Sequence, residues 1–294
     1  MRSIDLVITD LDNTLYDWVH FFTASLYAMT QKAALILSVS EEQLLKELQK
    51  VHQRYHNTEH PFALLETETV KHYTKGLSRK KQMNALDEAF HAFNAVRNRE
   101  LTLYQGVRQG LQRLVNSGVT VVGHTEATLP NAVFRLKKLG LTPFFHGLHA
   151  PAHGGLPHPK GPSPTTANQG IKIVTLPPKQ RKPDVAVLKG ILDEWDAKPE
   201  TSLYIGDSLI KDMSMAVEAG LASAWAKYGT HHPDEAWKKL VRISHWTEED
   251  VAQAETLRMR YPNLEPDAVL DQSFEQIFSH FHFEPANKGT CSYA

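Results

Sequence analysis

Two kinds of hydrophobic pattern divide the chain. The segment Ile4-Asp5-Leu6-Val7-Ile8-Thr9-Asp10 is a short apolar run that ends on an acid, and the polar turn Leu11-Asp12-Asn13-Thr14 follows it; such a run predicts a buried strand whose C-terminal end delivers side chains to something. From Asp17 to about Arg99 the spacing becomes helical, with Trp18, Phe21, Phe22, Leu26 and Met29 recurring three and four residues apart. Ser40-Glu41-Glu42-Gln43 has the form of a capping box opening a second helix, and further helical runs cover 62–74 and 78–99. With no convincing strand between them, residues 17–99 are expected to form an all-helical insertion.

After Tyr104-Gln105-Gly106 strand and helix alternate. The pattern predicts a helix to Asn116 stopped by Gly118, a strand over 119–123, a helix from Pro130 closed by Gly140, and a further strand over 144–148. Residues 149–181, rich in Pro, Gly and His, break the rhythm and are expected as a long surface loop. Alternation resumes with a helix over 185–195, a strand over 202–206, a helix to Ala219 ending at Gly220 and a strand over 222–227. The tail adds a helix capped at Thr247 and another over 274–281. This order predicts an α/β fold with a parallel sheet and right-handed crossovers.

Composition narrows the possibilities without choosing among them. At 294 residues, 41% hydrophobic and 22% charged, the chain has the makeup of a soluble globular protein of roughly two folding units. Its 32 Lys and Arg against 33 Asp and Glu leave a formal charge of −1, so no global field favours a nucleic-acid polymer or an anionic membrane, and any anion site must be local. The single cysteine, Cys291, cannot close an intrachain disulfide, which fits a reducing cytoplasm. No stretch approaches the ~18 apolar residues of a spanning helix, and Asp5, Asp10 and Asp12 stand where an export signal needs an uncharged core.

The chemistry-bearing residues lie at the ends of the expected strands. Asp10 and Asp12, two apart at the first strand's exit, suit a hard cation such as Mg²⁺, which demands oxygen ligands; a solvated Asp-x-Asp turn is the plain alternative. In Gly206-Asp207-Ser208-Leu209-Ile210-Lys211-Asp212 the glycine permits a tight turn, Asp207 faces the crevice above the sheet, and Asp212 sits one turn on, supporting a metal or its waters. An acidic helix N-terminus would account for the same residues. Thr125 offers a hydroxyl and nearby backbone N–H groups to an anionic oxygen. Lys182, in Arg181-Lys182-Pro183-Asp184, offers the positive charge that a dianionic substrate requires. Singly, these two would pass for a cap and a solvated surface lysine.

In this order the residues Asp10-Leu11-Asp12-Asn13-Thr14, Thr125, Lys182 and Gly206-Asp207 with Asp212 resemble the four motifs of the haloacid dehalogenase superfamily. The resemblance covers residues 1–16 and about 100–230. It implies a Rossmann-like parallel-sheet catalytic core (1–16 and 100–294, with a loop insertion at 149–181 and a C-terminal extension over 231–294) and a helical cap domain over 17–99. It further implies Mg²⁺ held by Asp10, the Asp12 backbone carbonyl and Asp207 with Asp212 in support, Asp10 as nucleophile, Asp12 as acid and base, and Thr125 and Lys182 holding phosphoryl oxygens. Relatives that are dehalogenases lack an acid at the position of Asp12, so the expectation is a phosphatase acting on a small phosphomonoester through an aspartyl phosphate. Asp-Leu-Asp-Asn-Thr-Leu-Tyr resembles the opening of pyrimidine 5′-nucleotidase relatives, and the layout also resembles phosphoglycolate phosphatases. A phosphomutase using the same acids, or a noncatalytic phospholigand-binding relative, are the alternatives.

Other residues are assigned no site role. Trp18 is expected in the helical core, and Tyr16 and His20 are left unassigned. His146, His149, His153 and His158, and likewise His231 and His232, are expected in solvated segments without a dedicated metal site.

Overall fold

The computed structural model describes residues 1–152, 170–177, 180–246, 252, 255, 256, 259–261 and 263–286. Thr247, the expected cap of the tail helix, and His153, His158 and Cys291 lie outside the described residues. The strands are β1 (Arg2–Ile4), β2 (Leu6–Thr9), β3 (Thr120–His124), β4 (Gly147–Pro151), β5 (Lys172–Leu176), β6 (Ser202–Gly206), β7 (Ala222–Trp225), β8 (Ala268–Val269) and β9 (Phe281–Phe283). Seven of them form one parallel sheet in the order β5-β4-β3-β2-β6-β7-β8, and β1 pairs with β9 in a separate two-stranded ladder. The fold is α/β, as the alternation predicts.

Burial on both faces explains why Leu6, Val7 and Ile8 of β2 are consecutively apolar: all four of its residues are buried. Period-two alternation sends Leu6, Ile8, Val122 and Tyr204 to one face, where they meet α8 (Val185–Glu194) and α9 (Ser214–Glu218) through Leu188, Ile191, Met215 and Ala216. Val7, Val121, Leu203 and Ile205 face the other side, in the cluster that holds Leu111 and Leu114 of α6 (Val107–Asn116) and Leu136 of α7 (Leu129–Lys138). Register fixes what emerges at the top. Thr9 is level with Gly123 and with Ile205, so Asp10, Thr125 and Asp207 leave three adjacent strands side by side.

The stretch between β2 and α6 is helical throughout: α1 (Trp18–Leu37), α2 (Glu41–Tyr55), a 3-10 turn (Pro61–Glu66), α3 (Glu68–Tyr73), α4 (Arg79–Ala85) and α5 (Asp87–Glu100). Asn13, with φ 55°, turns the chain into α1, its Oδ1 accepting from Trp18 N at 3.1 Å and Val19 N at 3.3 Å, and Asp17 caps the helix by accepting from His20 N at 2.9 Å. Ser40 caps α2 by accepting from Gln43 N at 3.2 Å, but Gln43 donates its amide to Glu47 and Thr69, so only half of the expected capping box forms. A C-terminal helix, α10 (Asp234–Ile243), packs on both α1 and α2. Cross-links tie it there: His52 Nδ1 lies 2.6 Å from the Ile243 carbonyl, the Tyr27 hydroxyl donates to the Lys239 carbonyl at 3.4 Å, and Arg242 pairs with Glu42.

Four expectations need correction. Residues 149–181 are not one loop: 149–151 finish β4, and 172–176 form the partly exposed edge strand β5, whose Ile173-Val174-Thr175 run is a short strand signal inside the Pro-, Gly- and His-rich segment. His149 consequently sits buried in a strand, its Nε2 accepting from Trp195 Nε1 at 3.4 Å. The strand expected over 144–148 begins at Gly147, since Thr142–Phe144 forms a 3-10 turn. The segment after β6 is a π-turn (Leu209–Met213) before it becomes α9, and the tail over 274–281 is a 3-10 turn followed by the short α11 (Ile277–His280) and β9. Among the described residues no helix is long and apolar enough to cross a membrane.

Candidate active site

The strand ends build one cleft. Carboxylate oxygens of Asp10, Asp207 and Asp212 all lie within 4.8 Å of one another. Lys182 Nζ, at the approach to α8, donates to Asp10 Oδ1 at 2.6 Å and pairs with Asp212 Oδ1 at 2.9 Å. Asp10 is further placed by its backbone N–H, which donates to the Ile205 carbonyl at 2.8 Å, and by Thr14 Oγ1, 3.5 Å from its Oδ2.

Asp212 is buried but well supplied with donors. Its Oδ2 accepts from Ser208 N at 3.0 Å, and its Oδ1 accepts from the Tyr204 hydroxyl at 3.4 Å. Because that hydroxyl proton goes to Asp212, the His124 Nδ1 at 3.1 Å donates to the Tyr204 oxygen, which sets the tautomer. Burial, with help from Lys182 and His149, drives His124 well below the usual imidazole range, so the ring is neutral. Gly206 is required here for space and not for a positive φ: a Cβ at this position would collide with the Asp212 carboxylate.

The electrostatics of the cluster follow from three acids sharing one ammonium. Burial raises Asp10 to about 7; Lys182 opposes that rise and Asp212 adds to it. Asp207 is pushed well above the carboxylate range by burial and then by the charges of Asp212 and Asp10. Burial works against the charge on Lys182, but Asp10 and Asp212 outweigh it and hold the ammonium firmly protonated. Three clustered carboxylates against one lysine leave an excess of negative charge on hard oxygen donors, which fits a divalent hard cation.

The remaining expected residues fall on the same cleft, of about 1470 Å³, but do not all enter the cluster. Thr125 lines it, with its backbone N–H on the His149 carbonyl at 3.1 Å and its Oγ1 accepting from Ala127 N at 3.0 Å. Asp12 also lines it, yet its carboxylate is absent from the acidic cluster: Oδ1 accepts from Arg135 NH1 at 2.8 Å.

Several residues of the cleft had no assigned role. Trp18 is not simply core, since it lines the cleft and donates its indole N–H to Glu59. His232 lines it too, its ring stacked on Trp237 at 5.9 Å and 3°. Arg135 left a sequence signal, a charge three residues after Ala132 and four before Leu139 on an apolar helix face. Glu59, in the turn after α2, left none.

Comparison with known proteins places this geometry in a family. By sequence the chain has no match among curated proteins. Its fold is similar to a crystal structure of 2-haloacid dehalogenase from Pseudomonas syringae pv. Tomato DC3000, at TM-score 0.54 and 18% identity over 94% of this chain and 97% of that one. It is also similar to a HAD phosphatase from Thermococcus onnurineus, at TM-score 0.53 and 14% identity over 95% and 100%. A predicted phosphoglycolate phosphatase from Haemophilus somnus 129pt aligns at TM-score 0.52 and 18% identity over 95% and 98%. The family model for haloacid dehalogenase-like hydrolase matches residues 4–220, which include Asp10, Asp12, Thr125, Lys182, Asp207 and Asp212, and the chain therefore belongs to the haloacid dehalogenase-like hydrolases.

Proposed function

We propose that the chain is a Mg²⁺-dependent phosphatase that hydrolyses a small phosphomonoester through an aspartyl phosphate on Asp10. The observation that carries this reading is the convergence of Asp10, Asp207 and Asp212 on Lys182 at adjacent strand ends, with Asp12 two residues beyond Asp10. Asp10, Asp207 and the Asp12 backbone carbonyl would hold the cation, with Asp212 in support. Bound there, Mg²⁺ supplies the positive charge that lets an anionic nucleophile approach an anionic phosphate.

The chain's own residues perform the transfer in two halves. An Asp10 carboxylate oxygen forms a bond to phosphorus as the bond to the leaving oxygen breaks, and Asp12 gives its proton to that oxygen. Asp12 then accepts a proton from the water that attacks phosphorus, and the bond to Asp10 breaks to release inorganic phosphate. Lys182 and Thr125 hold phosphoryl oxygens, acting by charge and position, as phosphoryl transfer requires. An ionisable residue at position 12 supports phosphatase over dehalogenase chemistry, because a departing halide needs no proton. The substrate class in this reading is a nucleotide or another phosphorylated metabolite, and a cytoplasmic location is supported by one cysteine in 294 residues.

Phosphate release from para-nitrophenyl phosphate and from a panel of nucleotides, sugar phosphates and phosphoglycolate tests the proposal. Turnover is expected with Mg²⁺ and not with a chelator. Asp10→Asn is expected to lose at least ~10³-fold in kcat while keeping its circular dichroism, as loss of a nucleophile does. Full activity in Asp10→Asn would remove the nucleophile, and no turnover across the panel would favour a noncatalytic ligand-binding role.

A further inference from the structure

The guanidinium of Arg135 is 5% exposed on a core-facing helix position and touches two carboxylates belonging to different parts of the molecule. One is Asp12, at 2.8 Å from NH1. The other is Glu59, from the turn after α2, which accepts from NH2. Glu59 is itself 11% exposed and fully engaged: it accepts from Trp18 Nε1 at the head of α1 and from Asn131 Nδ2 at 2.9 Å on α7. The Arg135 group is also held over the rings of Phe21, 5.2 Å away, and Tyr16, 5.9 Å away. A guanidinium buried this deeply is tolerable only when its donors and charge are met, and its fork shape makes the orientation of each partner specific.

We propose that Arg135 is the positioning residue for Asp12, and that Glu59 fixes Arg135 from the helical segment so that the acid is aimed only when that segment meets the sheet. The inference rests on the reading of Asp12 as the proton donor. Arg135 itself only donates hydrogen bonds and is not the acid. What it supplies is direction: one Asp12 oxygen is pinned, and the carboxyl keeps 22% of its side chain exposed in the cleft. Misaiming that carboxyl slows proton delivery to the leaving oxygen and leaves attack by Asp10 intact. The defect therefore grows with the basicity of the leaving group, because an alkoxide must be protonated as its bond to phosphorus breaks, whereas para-nitrophenolate departs without a proton. A merely structural ion pair would lower activity on both kinds of ester alike.

The test is kcat/KM, which reports the first half-reaction, for para-nitrophenyl phosphate and for an alkyl phosphate, in the wild type and in Asp12→Asn, Arg135→Gln, Arg135→Lys and Glu59→Gln. Asp12→Asn is expected to lose about 10²-fold or more on the alkyl ester beyond its loss on the aryl ester, the range of general acid catalysis. Arg135→Gln is expected to show the same gradient at about tenfold or more, and Glu59→Gln a smaller one. Arg135→Lys keeps the charge without the fork, so it serves as the folded variant should Arg135→Gln fail to fold, and its gradient is expected to match. Equal losses on both esters in the Arg135 and Glu59 variants, alongside a gradient in Asp12→Asn, would overturn the positioning role. A missing gradient in Asp12→Asn would instead overturn the acid assignment, and this inference with it.

Discussion

Lys182 Nζ stands 2.6 Å from Asp10 Oδ1 and 2.9 Å from Asp212 Oδ1, so a single ammonium joins carboxylates from the end of β2 and from the turn after β6. Its side chain is 4% exposed, and theirs are 10% and 2%. Removing one partner from such a group leaves the others charged, buried and unmatched. Lys182→Met is expected to cost about 3 kcal/mol or more at pH 8 without metal, as broken buried pairs do. The cost should shrink as the pH falls and Asp10, which burial raises to about 7, takes up a proton. Urea denaturation at pH 8 and at pH 5 measures both effects, and a pH-independent cost would show that the lysine does not compensate these acids.

Binding of a divalent cation should stabilise the chain in a pH-dependent way. Asp10 is raised from 3.8 to about 7, so the folded state holds a proton that the unfolded state has lost. The metal-free protein therefore loses stability as the pH rises from about 4 to about 7. A cation that replaces this proton is expected to raise Tm more at pH 8 than at pH 5. At a hundred times its Kd, Mg²⁺ would add about 2.7 kcal/mol. Asp207→Asn should remove most of this shift, and an unchanged shift would take Asp207 out of the cation site.

Gly206→Ala tests the space made for Asp212. The added methyl would overlap the Asp212 carboxylate, and overpacking of this kind costs about 1–3 kcal/mol. Asp212 has to move off Lys182 and Ser208 N to admit it, so phosphate release should fall along with thermal stability. Wild-type values in both measurements would mean that the backbone relaxes without disturbing the acid.

His52 links acid sensitivity to the seam between α2 and α10. Burial, reinforced by the nearby His245 and His60, lowers it from 6.5 to about 4, with the Ile243 carbonyl pulling the other way. The unfolded state takes up a proton that the folded state refuses, so stability is present above pH 6.5 and is lost as the pH falls toward 4. The full loss is about 3 kcal/mol. Asn can keep the hydrogen bond to the Ile243 carbonyl without titrating, and His52→Asn is expected to flatten the stability profile between pH 7 and pH 4.5. An unchanged slope would assign the acid sensitivity to other groups.

Three residues of the cleft were legible from the sequence because each follows the end of a strand, and strand ends are where apolar runs stop at polar turns. Asp10 after Leu6–Thr9, Thr125 after Thr120–His124 and Asp207 after Ser202–Gly206 all follow this rule. In a parallel sheet the same rule delivers those ends to one edge. The helical insertion was legible for a similar reason, since its apolar spacing is local. What escaped depends on partners far away in the chain. Strand β5 carries a strand signal of its own in Ile173-Val174-Thr175, short and set in a Pro-, Gly- and His-rich segment, and its pairing with β4 makes it a sheet edge, whereas β9 is recognisable only by its pairing with β1, nearly 280 residues earlier.

The sequence by itself determined the α/β alternation, the place of the helical insertion and the four elements of the acidic site, because those follow from periodicity and from the order of strand ends. Only the tertiary structure decided how the site is wired. Arg135 reaches Asp12 across 123 residues and Glu59 across 76, and α10 reaches back to His52 across 191. A buried charge is allowed only where its opposite arrives in three dimensions, and no local pattern encodes that arrival. Thus Asp12 could be marked as an acid from its place in the chain, whereas the group that aims it could be seen only in the folded molecule.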